Sequence, residues 1–179
     1  MLIDPLVITL PALDFDHDAS SIVDIIQGRR PENDVYPTPE WLAKAALRAA
    51  IKPYNLTIRR RVLDVGAGSG AWGSALRSLG FSTFTLDGID IRQLPRPDAY
   101  NFWAHADYLT TSWVPGPYDY IIGNPPFQQA EKIIRKSFEK LTPSGELHFL
   151  LRLNFLGGQA RALGLFKQFP PHKITIIPK

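Results

Sequence analysis

The chain has 179 residues, of which 45% are hydrophobic, and its 20 Lys and Arg against 17 Asp and Glu give a formal net charge of +3. This length and hydrophobic content exclude wholesale disorder and suit one domain with a sizeable core, while the charge is only a mild attraction for a polyanion. The chain has no cysteine, which excludes disulfide frameworks, thiolate metal sites and cysteine nucleophiles.

The sequence shows no sign of membrane insertion or export. No apolar run approaches the roughly 18 residues that a membrane-spanning helix needs. The first five residues lack the basic start and the small-residue cleavage site of a secretory signal. We therefore expect a soluble cytoplasmic protein that makes no membrane contact.

The first clear element is a helix that begins at Thr38 and Pro39. Thr38 can cap the free amide groups, Pro39 suits the first helical position, and the helical body is predicted to cover 41–51. A short capped helix is predicted upstream, over 20–26. It lies within a segment, 1–34, that precedes the main domain.

Strands and helices alternate along the rest of the chain. The predicted strands are 61–65, 82–91, 102–106, 118–122, 146–153 and 173–177. The predicted helices are 71–79, 128–141 and 159–169, and a turn is predicted at 143–145. This alternation predicts an α/β fold in which a parallel sheet is covered by helices on both faces.

A glycine-rich turn follows the strand 61–65, at the kind of position where α/β folds bind ligands. Residues 64–70 read Asp-Val-Gly-Ala-Gly-Ser-Gly, and the glycines let the backbone approach a ligand closely. Residues 68–73 also match the dinucleotide pattern GxGxxG, with Asp87 or Asp90 as the acidic residue about 20 positions on. The turn alone therefore does not separate a nicotinamide enzyme from an enzyme with another nucleoside cofactor.

Three acidic residues at the ends of consecutive strands make that distinction. Asp64 precedes the first glycine by two positions, where it would favour a ligand ammonium group but not a diphosphate. Asp90 ends the second of these strands and suits a ribose diol. Asp107 follows the third and suits an adenine amino group. Together they indicate a site for a nucleoside that carries an amino acid.

Residues 63–70 resemble the first motif of class I S-adenosylmethionine-dependent methyltransferases, and Asp90 and Asp107 take the positions of their second and third motifs. The resemblance implies a Rossmann-like fold with S-adenosylmethionine as the cofactor. It implies that Asp64 and the glycines hold the methionine part and that Asp90 binds the ribose hydroxyls. It further implies that Ile91 packs on the adenine, whose amino group Asp107 holds.

The sequence Asn124-Pro125-Pro126-Phe127 ends the strand 118–122, beside the expected position of the cofactor's methyl group. An amine conjugated to a ring is a poor nucleophile because its lone pair is delocalised. The Asn124 side-chain oxygen and the Pro125 carbonyl can accept the two amine hydrogens and so localise the lone pair. Pro126 stiffens the turn, and Phe127 offers a face on which a flat base can stack. These four are the predicted catalytic residues, and no metal is expected.

This tetrapeptide resembles the motif of amino-methyltransferases. The phenylalanine at its fourth position, Phe127, makes it most similar to phage and bacterial DNA adenine-N6 enzymes. Residues 34–41 are similar to a Tyr-x-Thr-Pro element of many such enzymes, which implies that Tyr36 and Thr38 help enclose the cofactor. The cofactor-binding residues implied in all are Tyr36, Thr38, Asp64, Gly66, Gly68, Asp90, Ile91 and Asp107. The predicted reaction is methylation of adenine N6 in DNA, on a base flipped out of the duplex.

Other interpretations stay open at this point. The same tetrapeptide occurs in enzymes that methylate glutamine amides of proteins and in some RNA guanine- and adenine-amine enzymes. An RNA or protein substrate is therefore the alternative, and an inactive cofactor-binding or interaction protein is a further one.

The resemblance also sets expectations for the domain organisation. Residues 35–179 are expected to form the catalytic domain, and 1–34 an extension packed on or near the cofactor site. The related sheet has seven strands, but six are predicted here, so the seventh is expected to be missing or the chain to be a fragment. The sheet edge left exposed predicts a homo-oligomer.

Without a target-recognition domain, sequence specificity is expected to be low or supplied by a partner. Phosphate contacts are expected among the basic residues Arg29, Arg30, Lys132, Arg135, Lys136, Arg152, Arg161 and Lys167.

Overall fold

The computed structural model describes residues 6–11, 36–51, 59–112 and 114–177, with only the backbone described for 6–11 and 177. The predicted helix over 20–26 lies outside the described residues, as does most of the segment 1–34. The expected packing of that segment near the cofactor site therefore stays a prediction.

The described residues contain one parallel sheet of seven strands. The strands are β1 (Leu6–Pro11), β2 (Arg61–Val65), β3 (Thr85–Asp90), β4 (Phe102–His105), β5 (Tyr118–Gly123), β6 (Leu141–Leu150) and β7 (Lys173–Ile177). Their order across the sheet is β4-β3-β2-β5-β6-β1-β7, and every neighbouring pair is parallel. From β2 the chain first builds outward through β3 and β4, and then returns to the other side of β2 with β5. The direction in which the chain adds strands to the sheet reverses between β2 and β5, and sheets of this kind bind ligands at that point.

Helices cover both faces of the sheet, as the alternation predicted. They are α1 (Glu40–Ala50), α2 (Ala71–Ser78), α3 (Ala130–Phe138), α4 (Gln159–Leu163) and α5 (Leu165–Gln168), with a 3-10 turn at Leu153–Leu156.

Side chains alternate between the two faces along β5, and each face has its own hydrophobic core. Ile121 packs in one core with Ile134 of α3, whereas Ile122 packs in the other with Leu47 of α1 and Leu76 of α2. All five aliphatic side chains named here are essentially inaccessible to solvent. The alternation of side chains along a strand fixes which helix each residue can meet.

The expected absence of a seventh strand was wrong. β1 lies between β6 and β7, with Leu6 opposite Leu147 and Val7 opposite Lys173. Its run of Val, Ile and Thr has the composition of a strand, and a proline at a strand end is tolerated because it removes no central ladder hydrogen bond. Both sides of β6 are thus paired, so the exposed edge that motivated a homo-oligomer is not present.

Several boundaries differ from the predicted ones. β6 starts at Leu141 instead of 146, and the predicted turn at 143–145 is an irregularity within it. Tyr118 lies opposite Leu141 while Tyr120 lies opposite Glu146, so the extra residues of β6 bulge out of register. The helix predicted over 159–169 is divided into two short helices at Gly164. Within the part of the chain that the structure describes, no helix is long and apolar enough to cross a bilayer.

Candidate functional site

A cleft of about 320 Å³ opens at the carboxyl ends of the central strands. The predicted site residues that line it are Tyr36, Gly66, Asp90, Ile91, Asp107, Asn124 and Pro126. The predicted site residues that do not line it are Thr38, Asp64, Gly68, Pro125 and Phe127. The fold therefore brings the ends of β2, β3, β4 and β5 to one cleft, although these residues are up to 90 positions apart in the chain.

The glycine-rich turn forms one wall of the cleft. Gly66 and Gly68 have φ values of 71° and 57°, a conformation that glycine adopts without strain. A Cβ atom on Gly66 would point toward the backbone oxygen of Asn124, 3.8 Å away. A side chain at this position would therefore fill the space between the turn and Asn124, which is the space that a bound cofactor would need.

Asp90 lies at the end of β3 and is 4% exposed. One carboxylate oxygen accepts hydrogen bonds from the backbone and Nε of Arg92, both at 2.9 Å. The other accepts from the backbone of Gly68 at 2.7 Å and from Nη2 of Arg92 at 3.1 Å. Burial would raise the pKa of Asp90, but the hydrogen bonds from Arg92 and Gly68 outweigh it and the pKa lies below its usual value.

Four donors use the full capacity of the Asp90 carboxylate. A ribose diol can bind there when at least one of these contacts is released, and three of the four come from Arg92. That Arg92 binds Asp90 was not predicted from the sequence, although Arg92 stands only two positions after this strand-end acid.

Asp64 is fully buried at the base of the turn. The hydroxyl of Tyr100 donates to one carboxylate oxygen at 2.5 Å, and Tyr100 in turn accepts from the backbone of Gly73 at 3.2 Å. The other carboxylate oxygen has no hydrogen-bond partner among the described residues. Burial raises the pKa of Asp64 to about 7, with a smaller opposing effect from the Tyr100 hydroxyl. The predicted contact of Asp64 with a ligand ammonium group stays a prediction.

The predicted adenine end of the cleft contains Ile91 and Asp107. Ile91 is 58% exposed, which is unusual for an isoleucine and leaves an apolar surface for a flat ring. One carboxylate oxygen of Asp107 accepts from the backbone of Leu109 at 2.8 Å. The second oxygen makes no hydrogen bond within the described part of the chain, so it can accept one from a ligand amino group.

The Asn124 amide has a defined orientation. Its nitrogen donates to the backbone oxygen of Tyr36 at 3.2 Å and to the hydroxyl of Thr38 at 3.1 Å. Turning the amide over would place its oxygen against the Tyr36 carbonyl, where neither atom can donate, so the assignment is unambiguous. The amide oxygen is buried and has no partner among the described residues. The Tyr36-x-Thr38 element thus contacts Asn124 directly, a role that sequence reasoning did not assign to it.

Beside Asn124, three side chains form an aromatic and cationic cluster made of Tyr36, Phe127 and Arg152. The two rings have centroids 5.1 Å apart and are tilted by 35°. The Arg152 guanidinium carbon lies 4.4 Å from the Phe127 centroid and 4.9 Å from the Tyr36 centroid. Arg152 follows β6 and was predicted only as one of many basic residues, because its neighbours in space are remote in sequence.

The described residues contain no group of three or more His, Asp or Glu side chains placed to hold a metal ion.

Comparison with known proteins places these features in context. No model of a known protein family matches the chain. A stretch of 100 residues is 34% identical to the ribosomal RNA small subunit methyltransferase C of Chromohalobacter salexigens, and it covers 49% of this chain and 30% of that protein.

Among solved structures, TrmN from Thermus thermophilus aligns with a TM-score of 0.51 and 22% identity over 74% of this chain and 41% of that chain. A chain of a fibrillarin/Nop5p complex aligns with a TM-score of 0.52 and 14% identity over 73% of this chain and 68% of that chain.

These similarities confirm the predicted Rossmann-like class I methyltransferase fold. They also support S-adenosylmethionine as the cofactor. The chain spans less than half of the length of the ribosomal RNA methyltransferase and of TrmN.

Proposed function

We propose that the protein transfers a methyl group from S-adenosylmethionine to the exocyclic amine of a nucleic-acid base. The observation that carries this proposal is the buried Asn124 amide oxygen, which has no donor among the described residues. Leaving a buried acceptor unpaired costs about 1 to 3 kcal/mol, so a donor that arrives with a ligand explains the arrangement.

The residues around the methyl-transfer position suit an amine. Thr38 and the Tyr36 carbonyl hold the nitrogen of Asn124, which leaves its oxygen to accept one amine hydrogen. The Pro125 carbonyl can accept the other. Both acceptors localise the nitrogen lone pair, and neither removes a proton before the methyl group is transferred. Because the Asn124 oxygen is shielded from solvent, neighbouring groups move aside when the amine enters.

The cofactor supplies an activated methyl group on a sulfonium centre. Gly66 leaves room for it beside Asn124. Asp90 is in position for the ribose once Arg92 releases a contact, and Ile91 and Asp107 offer an apolar surface and an acceptor to the adenine.

RNA is the favoured substrate. The relative from Chromohalobacter salexigens is named as a ribosomal RNA methyltransferase, and its likeness covers about half of this chain. Adenine N6 in DNA is the second candidate, supported by Phe127 and the Tyr36-Pro37-Thr38-Pro39 sequence. A protein glutamine amide is a third candidate for the same acceptors. We propose that the reaction takes place in the cytoplasm. The oriented Asn124 amide argues against an inactive binding protein.

The direct test is transfer of label from methyl-tritiated S-adenosylmethionine to separate RNA, DNA and protein fractions, with the product identified by mass spectrometry of the digested polymer. We expect label on an exocyclic amine of a base in RNA, or in DNA for the second candidate. Label on pyrimidine carbon 5 or a ribose oxygen, or in protein alone, would contradict the proposal.

The matched variants are Asn124→Ala and Asn154→Ala. Loss of the Asn124 acceptor should lower the rate of transfer about 100-fold, by analogy with the removal of one oxyanion-hole donor, at nearly unchanged cofactor affinity. Asn154 is exposed in the 3-10 turn, and its replacement should leave the rate unchanged. A wild-type rate for Asn124→Ala would rule out this role.

A further inference from the structure

Arg152 stands out among the basic residues because, within the described part of the chain, the contacts of its guanidinium are with aromatic rings. It is exposed, follows the carboxyl end of β6, and lies over both Phe127 and Tyr36. Tyr36 also contacts Asn124 through its backbone oxygen. The cation thus lies next to the position where the target amine is expected.

Several other basic side chains are engaged within the protein. Arg92 binds Asp90, Arg135 binds Glu131, and Lys136 binds two backbone oxygens. Arg161 donates to the backbone oxygens of Phe155 and Gly157.

In the described part of the chain, Arg152 has neither a carboxylate partner nor a side-chain hydrogen bond. Stacking on a ring uses the flat face of the guanidinium and leaves the N–H groups at its edge free. Those N–H groups form a planar fork that matches the oxygens of a phosphate, which makes phosphate the ligand chemistry that fits this residue.

The ring contacts also connect Arg152 with entry of the base. A base that stacks on Phe127 takes a ring face that the guanidinium now partly covers, so Arg152 moves outward when the base enters. Its long side chain then remains within reach of the backbone that carries the base.

We infer that Arg152 covers Phe127 and Tyr36 in the free protein and binds the phosphate beside the target nucleotide when the base takes its place. This inference rests on the proposed function and narrows its substrate class to nucleic acid, because a nucleic acid carries phosphates and a protein glutamine does not. Arg152 is thereby a substrate-recognition residue.

The test is equilibrium binding of fluorescently labelled RNA and DNA oligonucleotides to the full chain, without cofactor, over salt concentrations from about 50 to about 200 mM. Arg152→Gln should weaken binding about ten-fold, the effect of losing one charge-assisted bond, and should lower the slope of log K against log salt by about one. Arg152→Lys should restore the slope because it keeps the charge.

Arg48→Gln is the matched control. Arg48 is exposed at the end of α1, and the neighbouring Ala49 oxygen accepts a hydrogen bond from Lys173 at the start of β7, so this end of the helix lies at the opposite edge of the sheet. Its replacement should change neither affinity nor slope. An unchanged slope in Arg152→Gln, or failure of the wild-type chain to bind either oligonucleotide, would overturn the inference.

The binding assay separates this inference from the proposed function. If Arg152→Gln binds like the wild type while the wild type methylates a base amine, the inference is wrong and the proposed function stands. If the salt slope falls as expected but no methyl group is transferred to any fraction, the proposed function is wrong and the phosphate contact stands.

Discussion

At the scale of single residues, Thr38 shows how a side chain can act through another one. Its hydroxyl and the Tyr36 carbonyl share the two hydrogens of the Asn124 amide nitrogen. Thr38→Val removes the acceptor but keeps the shape of the side chain, so the amide loses one of the two contacts that orient it. We expect kcat to fall about ten-fold, which corresponds to the loss of one buried hydrogen bond of about 1.5 kcal/mol.

The same variant tests whether the role is positional. Cofactor affinity and the KM for the nucleic acid should change little, and Thr38→Ser should restore kcat because it keeps the hydroxyl. Steady-state kinetics with equilibrium binding of cofactor provides both values. A Thr38→Val enzyme that loses cofactor affinity at unchanged kcat would instead favour the sequence-based role of Thr38 in enclosing the cofactor.

Single residues also differ in how far their place in the site could be predicted from the sequence. Asp90 and Asn124 were predictable because each stands at the end of a strand, where sequence position alone fixes the location in a parallel sheet. The contacts of Tyr100 with Asp64 and of Arg152 with Phe127 were not predictable. These partners are brought together by loops and by packing, and no local pattern encodes a contact between residues so distant in the chain.

At the scale of elements, the alternating pattern after residue 60 predicted six strands, all of which are present. β1 was missed because it lies in the segment before the alternating pattern begins, where no strand was predicted. Its parallel pairing with both β6 and β7 could not be predicted locally, since strand neighbours depend on the whole sheet.

The position of β1 predicts the effect of a proline within it. Ile8 lies opposite Phe149 and Ile174, in the middle of both ladders. Ile8→Pro removes a backbone donor there and should lower the free energy of unfolding by about 2 kcal/mol, whereas Ile8→Val keeps the donor and should change it little. Detachment of β1 would expose an edge of β6, so the proline variant should also self-associate more strongly than the wild type.

Urea denaturation and sedimentation velocity measure these two effects. An Ile8→Pro chain with the wild-type urea midpoint and the wild-type sedimentation behaviour would show that β1 contributes no stability to the sheet.

At the scale of the whole molecule, the buried Asp64 carboxyl couples stability to pH. Burial raises its folded-state pKa to about 7, above the usual value of 3.8. The folded state therefore holds the Asp64 proton more tightly than the unfolded state does. Stability from this group is present in full below pH 4 and is lost as pH rises toward and through 7. The loss amounts to roughly 4 kcal/mol at most, because each pKa unit corresponds to about 1.4 kcal/mol.

Asp64→Asn should remove this dependence, since the amide is neutral at every pH and its oxygen still accepts from Tyr100. We expect the variant to be more stable than the wild type at pH 8 and to lose more than half of that advantage by pH 5, as measured by urea denaturation with circular dichroism. The range from pH 5 to pH 8 lies above the lowered pKa of Asp90, so the Asp90 carboxylate stays ionised throughout. Asp98→Asn, at an exposed position, is the control and should show no such trend. A difference between Asp64→Asn and wild type that stays constant from pH 5 to pH 8 would mean that Asp64 is ionised in the fold at pH 5 already, with its free oxygen paired to a donor.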